Sequence, residues 1–79
     1  MGTVISKTTT LDMRGNACAL ILARAKMALK EMATGDVLEV LSTDSCTEFD
    51  LPSWTKRSGN EMISAVREGD YMKFTIQKG

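Results

Sequence analysis

Residues 4–42 read VISKTTTLDMRGNACALILARAKMALKEMATGDVLEVLS, and the recurrence of apolar positions along this stretch decides the fold. Val4 to Leu11 is rich in β-branched residues, which suit a pleated strand, and Asp12-Met13-Arg14-Gly15-Asn16 after it is a turn cluster containing a glycine. From Ala17 to Ala33 the period changes. Ile21, Leu22, Ala25, Ala28, Leu29 and Met32 fall on one face of a helix, while Arg24, Lys30 and Glu31 lie off it. Thr34-Gly35 is expected to end that helix, with Gly35 as a left-handed cap. Asp36 to Ser42 is then a nearly continuous apolar run with one carboxylate, as in a strand covered on at least one face.

Working outward, Ser45 with Glu48 forms a candidate capping box, and Asp50 with Pro52 in the first turn is an equal alternative start for a short second helix. That helix carries Leu51 and Trp54 inward and stops at Gly59. Asn60 to Arg67 and Tyr71 to Lys78 are two further extended segments. In the last, Met72, Phe74 and Ile76 alternate with Tyr71, Lys73, Thr75 and Gln77, the period of a half-buried strand. The order βαβαββ puts two right-handed crossovers, hence two helices, on one face of a four-stranded mixed sheet whose final pair is an antiparallel hairpin. The expected class is an α/β (α+β) two-layer sandwich forming a single domain over residues 1–79.

Composition narrows the chemistry. Ten basic and ten acidic residues give a net charge of zero, which offers no electrostatic footprint for nucleic acid or an anionic membrane surface. Histidine is absent, removing the usual metal ligand and near-neutral proton shuttle, so zinc enzymes and His-dependent triads are excluded and no cofactor or metal is expected. Carboxylates and two thiols, Cys18 and Cys46, are what is left. Two cysteines are too few to staple a mini-protein, and their spacing is not that of a CxxC pair. The first ten residues hold no apolar run behind basic residues, so neither a signal peptide nor a membrane span is expected, and the expected location is the reducing cytoplasm.

The string Leu11-Asp12-Met13-Arg14-Gly15-Asn16-Ala17-Cys18, a helix, and then Gly35-Asp36-Val37-Leu38-Glu39-Val40 resembles the start of a TusA/SirA-family sulfur carrier. Ser42-Thr43-Asp44, Asp50-Leu51-Pro52-Ser53-Trp54, Ser58-Gly59-Asn60-Glu61 and the closing Tyr71 to Gly79 follow in the family's order. The resemblance implies the βαβαββ fold, which the C-terminal domain of translation initiation factor three shares. It also implies a function: a sulfurtransferase that accepts sulfane sulfur as a persulfide on Cys18 from a cysteine desulfurase or rhodanese-like donor and relays it to an acceptor protein. Where the family has Cys-Pro-x-Pro, this chain has Cys18-Ala19-Leu20-Ile21, so the cysteine is kept and both prolines are absent. The alternative function is therefore an interaction or regulatory module that keeps the fold without sulfur transfer. RNA binding would rest on fold analogy alone, against the neutral charge.

A persulfide carrier needs a thiolate that partners can reach. Cys18 is expected in the first turn of helix one, where unpaired N–H groups and the macrodipole favour an anionic sulfur. With no proline after it, Cys18 is free to be helical, and Asn16 is expected as N-cap with Ala17 the first helical residue and Cys18 the second. The other reading of Cys18 is a small core hydrophobe, since it precedes Ile21 and Leu22 at the end of the apolar stripe. Cys46, in the loop leaving strand two, is read either as a second thiol or, as expected, a locally packed loop residue. Both strand ends lie on one rim, and a disulfide between the cysteines requires Cα atoms within roughly 7 Å. Arg14, Asp12 and Asp44 line the same rim as supporting candidates, Arg14 either to steer an anionic donor or stabilise an anionic sulfur or, equally, as a solvated loop arginine, and the aspartates as turn or cap groups. Lys26, Lys30, Lys56 and Arg57 are read as solvated helix faces or as a docking surface for an acidic partner.

Overall fold

A computed structural model describes residues 7–79. The elements run β1 (Thr8–Asp12), α1 (Cys18–Glu31), β2 (Val37–Ser42), α2 (Thr47–Arg57), β3 (Glu61–Glu68) and β4 (Tyr71–Gln77). The sheet order is β1-β2-β4-β3, with β1 parallel to β2 and β4 antiparallel to both of its neighbours. Strands β2 and β3 consequently point the same way, so each helix connects parallel strands, as the element order predicts. The expected strand from Val4 is seen from Thr8; Val4 to Ser6 lie outside the described residues.

Alternation on β2 and β4 sets the core. Leu38 stands opposite Ile76 and Val40 opposite Phe74, and all four are fully buried beneath the helices. Helix α1 adds Ile21, Ala25 and Leu29, buried four residues apart, with Leu22, Ala28 and Met32 half-covered beside them. All six residues of the predicted face therefore reach the core. Helix α2 buries Thr47, Leu51 and Thr55 at the same spacing, with Trp54 packed on the edge of the core. Removing each large aliphatic or aromatic side chain from water contributes about 1.5–3 kcal/mol, so this stripe-on-sheet contact is the main source of stability.

The element ends depart from expectation for local reasons. Helix α1 begins at Cys18 with Ala17 as an extended N-cap (φ −72°, ψ 151°), one residue later than expected. Asn16 does not cap it: the Asn16 side-chain amide turns back toward the Arg14 carbonyl. At the other end Met32 is already extended, and Asp36 takes the Ala33 and Lys7 N–H groups at 3.1 Å each, so the helix stops at Glu31 and Gly35 (φ 95°) belongs to the turn into β2 instead of capping α1. Neither expected start of α2 is used. It begins at Thr47 with no side-chain cap and holds Pro52 in its interior. A proline there removes one ladder hydrogen bond, but the buried Thr47-Leu51-Thr55 stripe fixes the helix on both sides of it. Its exit is as expected at Gly59 (φ 83°), where Asn60 N–H bonds to Thr55 C=O and Gly59 N–H to Lys56 C=O, the paired bonds of a Schellman turn.

Phe74→Ala, at a central fully buried position, is expected to lower unfolding free energy by about 3–5 kcal/mol in urea titration. Met27→Ala, on the exposed face of α1, should stay within about 0.5 kcal/mol of the parent. Equal losses would contradict this placement of the core.

Candidate functional site

The site forms where the chain leaves β1 and β2. Met13 N–H bonds to Leu41 C=O at 2.9 Å and Gly15 N–H to Thr43 Oγ1 at 2.8 Å, which fasten the loop before α1 to the end of β2. Asp44 then reaches across. Its Oδ2 accepts the Cys18 N–H at 2.9 Å and its Oδ1 accepts the Cys46 N–H at 3.0 Å, so one carboxylate satisfies the first backbone donor of α1 and that of the residue preceding α2. The buried Ser42 hydroxyl accepts the Asp44 N–H at 3.1 Å and hydrogen-bonds Thr47 Oγ1 at 3.1 Å, holding Asp44 in place.

With their backbones gathered this way, Cys18 and Cys46 have Cα atoms 6.2 Å apart and their sulfurs are joined in a disulfide. The reading of Cys46 as a locally packed loop residue is thereby corrected. Both cysteines are half-buried, so Cys18 is not a fully enclosed core residue. It is the first residue of α1, where the helix terminus favours an anionic sulfur. Against that, Asp50 Oδ2 lies 3.5 Å from Cys18 Sγ and 3.6 Å from Cys46 Sγ, and a carboxylate at that range disfavours negative charge on sulfur. Cys46 and Asp50 are four apart at the start of α2, the spacing that stacks side chains on a helix face. That spacing is visible in the sequence, where Asp50 also reads as a capping candidate. Cys18, Asp44 and Cys46 also bring three donor atoms within 4.8 Å of one another. The two sulfurs are bonded to each other and both Asp44 oxygens hold N–H groups, so the cluster is a clamp and not an open ligand set.

Asp12 takes the turn role expected of it, its Oδ1 accepting the Arg14 N–H at 3.3 Å, and the Arg14 side chain turns to the same carboxylate. They pair with each other, Arg14 Nε to Asp12 Oδ1 at 2.8 Å and Nη2 to Oδ2 at 2.7 Å, and the guanidinium sits 5.1 Å from the Tyr71 ring centroid. Arg14 thus serves Asp12 and Tyr71, whereas the polar groups recorded at Cys18 are Asp44 and Asp50. The Arg14 side-chain bond, with its backbone N–H, holds the Asp12 carboxyl below its ordinary range. Lys26 stays exposed, as expected for a solvated helix face, with its Nζ 5.8 Å from the Trp54 ring centroid on α2.

Three measurements follow. Asp44→Ala is expected to cost about 1–2 kcal/mol in denaturant titration, the usual loss on removing a helix cap. Reducing the Cys18–Cys46 bond should lower stability by about 3–4 kcal/mol, the chain-entropy value for a loop of this length. In an NMR titration the depressed Asp12 carboxyl should return toward the ordinary range in Arg14→Ala. Because its folded value is the lower one, any stability the pair contributes is present at neutral pH and lost as pH falls through that value.

Several known proteins share this architecture. A SirA-like protein from Desulfitobacterium hafniense has a crystal structure that superimposes with a TM-score of 0.81 at 26% identity, over 90% of this chain and 97% of that one. The "Putative sulfur carrier protein YrkI" of Bacillus subtilis is 42% identical over 69 residues, covering 87% of this chain and 92% of the relative. The sulfur carrier protein TusA of Allochromatium vinosum is 38% identical over 68 residues, covering 86% and 90%. The family model described as sulfurtransferase TusA matches residues 9–78, and the chain belongs to that family.

Proposed function

We propose that this protein is a sulfur carrier that holds sulfane sulfur as a persulfide on Cys18. The observation that carries the reading is the position of Cys18 at the N-terminus of α1, half-exposed on the rim above the sheet, in a chain whose relatives are named sulfur carriers. Loading is a sulfur exchange: the Cys18 thiolate attacks the outer sulfur of a donor persulfide, the donor S–S bond breaks, and the donor leaves as its own thiolate. A cysteine desulfurase or rhodanese-like protein is the donor in this reading, and a second protein takes the sulfur onward. Exposed Phe49 and Leu20, on the first turns of α2 and α1, supply apolar surface at the same helix ends for such partners. No described helix is long and apolar enough to cross a membrane, and we place the relay in the cytoplasm, where a disulfide of this kind is transient.

In the disulfide form Cys18 has no thiol to offer, so acceptance requires prior reduction. The same observation favours a second reading, an interaction module in which Cys18 has no transfer role.

Intact-mass analysis separates the two. After reduction and removal of the reductant, Cys46→Ser, in which Cys18 is the remaining thiol, is expected to gain sulfur or a thiosulfonate on incubation with a cysteine desulfurase and cysteine, or with thiosulfate or tetrathionate. The variant lacking both cysteines, Cys18→Ser with Cys46→Ser, should gain nothing, and neither should the unreduced wild type. No adduct with any donor, together with partner binding preserved in Cys18→Ala, would establish the interaction module instead.

A further inference from the structure

Resting on that reading, we propose that Cys46 is a resolving cysteine, which discharges the Cys18 persulfide within the same chain and releases its sulfur as hydrosulfide. The bond between the two sulfurs locates the attack. Cys46 Sγ reaches Cys18 Sγ itself, which in a persulfide is the inner sulfur. This reach does not depend on the bond. Asp44 holds the two residues by their backbone N–H groups, and buried Ser42 holds Asp44, so the reduced cysteines stay opposed.

The step balances without an outside oxidant. Cys46 loses its thiol proton to water, and the resulting thiolate attacks Cys18 Sγ of the protonated persulfide. The Cys46–Cys18 S–S bond forms, the bond from Cys18 Sγ to the terminal sulfur breaks, and the bonding pair leaves with that sulfur and its proton as hydrosulfide. The sulfane sulfur is reduced by two electrons and the two cysteine sulfurs are together oxidised by two. A dithiol reductant then restores both thiols and becomes a disulfide. Over a full cycle the protein converts donor sulfane sulfur and a dithiol into sulfide, a persulfide-reducing activity distinct from relay to a partner.

The decisive comparison uses the full chain, reduced and freed of reductant, and challenged with a limiting amount of inorganic polysulfide. Intact mass and a sulfide-selective electrode are read together. Wild type is expected to end as the disulfide, two hydrogens lighter than the reduced form, with sulfide appearing in step. Cys46→Ser should retain the added sulfur on Cys18 and release sulfide at least about tenfold more slowly. Cys18→Ser should neither load nor release. If wild type holds its persulfide as long as Cys46→Ser does, with no disulfide formed, the resolving role is overturned while the carrier reading stands. If Cys46→Ser, with its Cys18 thiol shown free by alkylation, gains no sulfur, both fall together. Sulfide release that survives in Cys18→Ser also overturns the proposal. Circular dichroism of each variant separates these outcomes from unfolding.

Discussion

One carboxylate organises the end of this molecule where the two cysteines meet. Asp44 divides its two oxygens between the Cys18 and Cys46 N–H groups, and so decides where α1 starts, how the approach to α2 is turned and how far apart the sulfurs sit. A helix needs its first donors satisfied, and ordinarily the preceding residue does this from its own side chain. Here Ala17 precedes the helix and has nothing to give. The cap therefore comes from the end of a neighbouring strand, and a local requirement of one helix becomes a tertiary tie between two.

This tie marks the boundary of what the sequence discloses. Elements governed by period were legible: the Ile21-Ala25-Leu29 stripe and the Phe74 and Ile76 alternation occupy the predicted faces, and the apolar run of β2 is a covered strand, although its division between the two faces appears only in the structure. The α2 exit was legible because Gly59 is a local conformational signal. Features that depend on a distant partner were not. Asn16 is a good cap by type, yet Asp44, far along the chain, holds the position. Pro52 is a poor interior helix residue by type, yet burial on both sides of it keeps the helix whole. In β3 the pairing with β4 shifts register between Met62 and Ser64, which leaves Ile63 as an extra residue in the ladder.

At the site, Cys18 was legible by position and by resemblance, whereas its pairing with Cys46 was not, because no spacing rule links residues that meet through two strand ends. Arg14 shows the converse: a basic residue near a cysteine in sequence served an aspartate two positions away. The absent prolines also find a physical setting. A proline after Cys18 would push the cysteine out of helical dihedrals; with Ala19 in that place, Cys18 enters the helix as its first residue, where Asp44 can take its N–H.

The disulfide also divides the chain mechanically. Oxidation closes a covalent ring from Cys18 to Cys46 that contains all of α1 and β2, while α2 and the β3–β4 hairpin lie outside it. Segments inside such a ring lose expanded conformations in any partly opened state, so α1 can no longer peel off the sheet without carrying the start of α2 with it. Amide exchange along α1 would then slow on oxidation while β3, at the sheet edge, keeps its own rate. The redox state of one bond becomes a setting for the local dynamics of the segment it encloses.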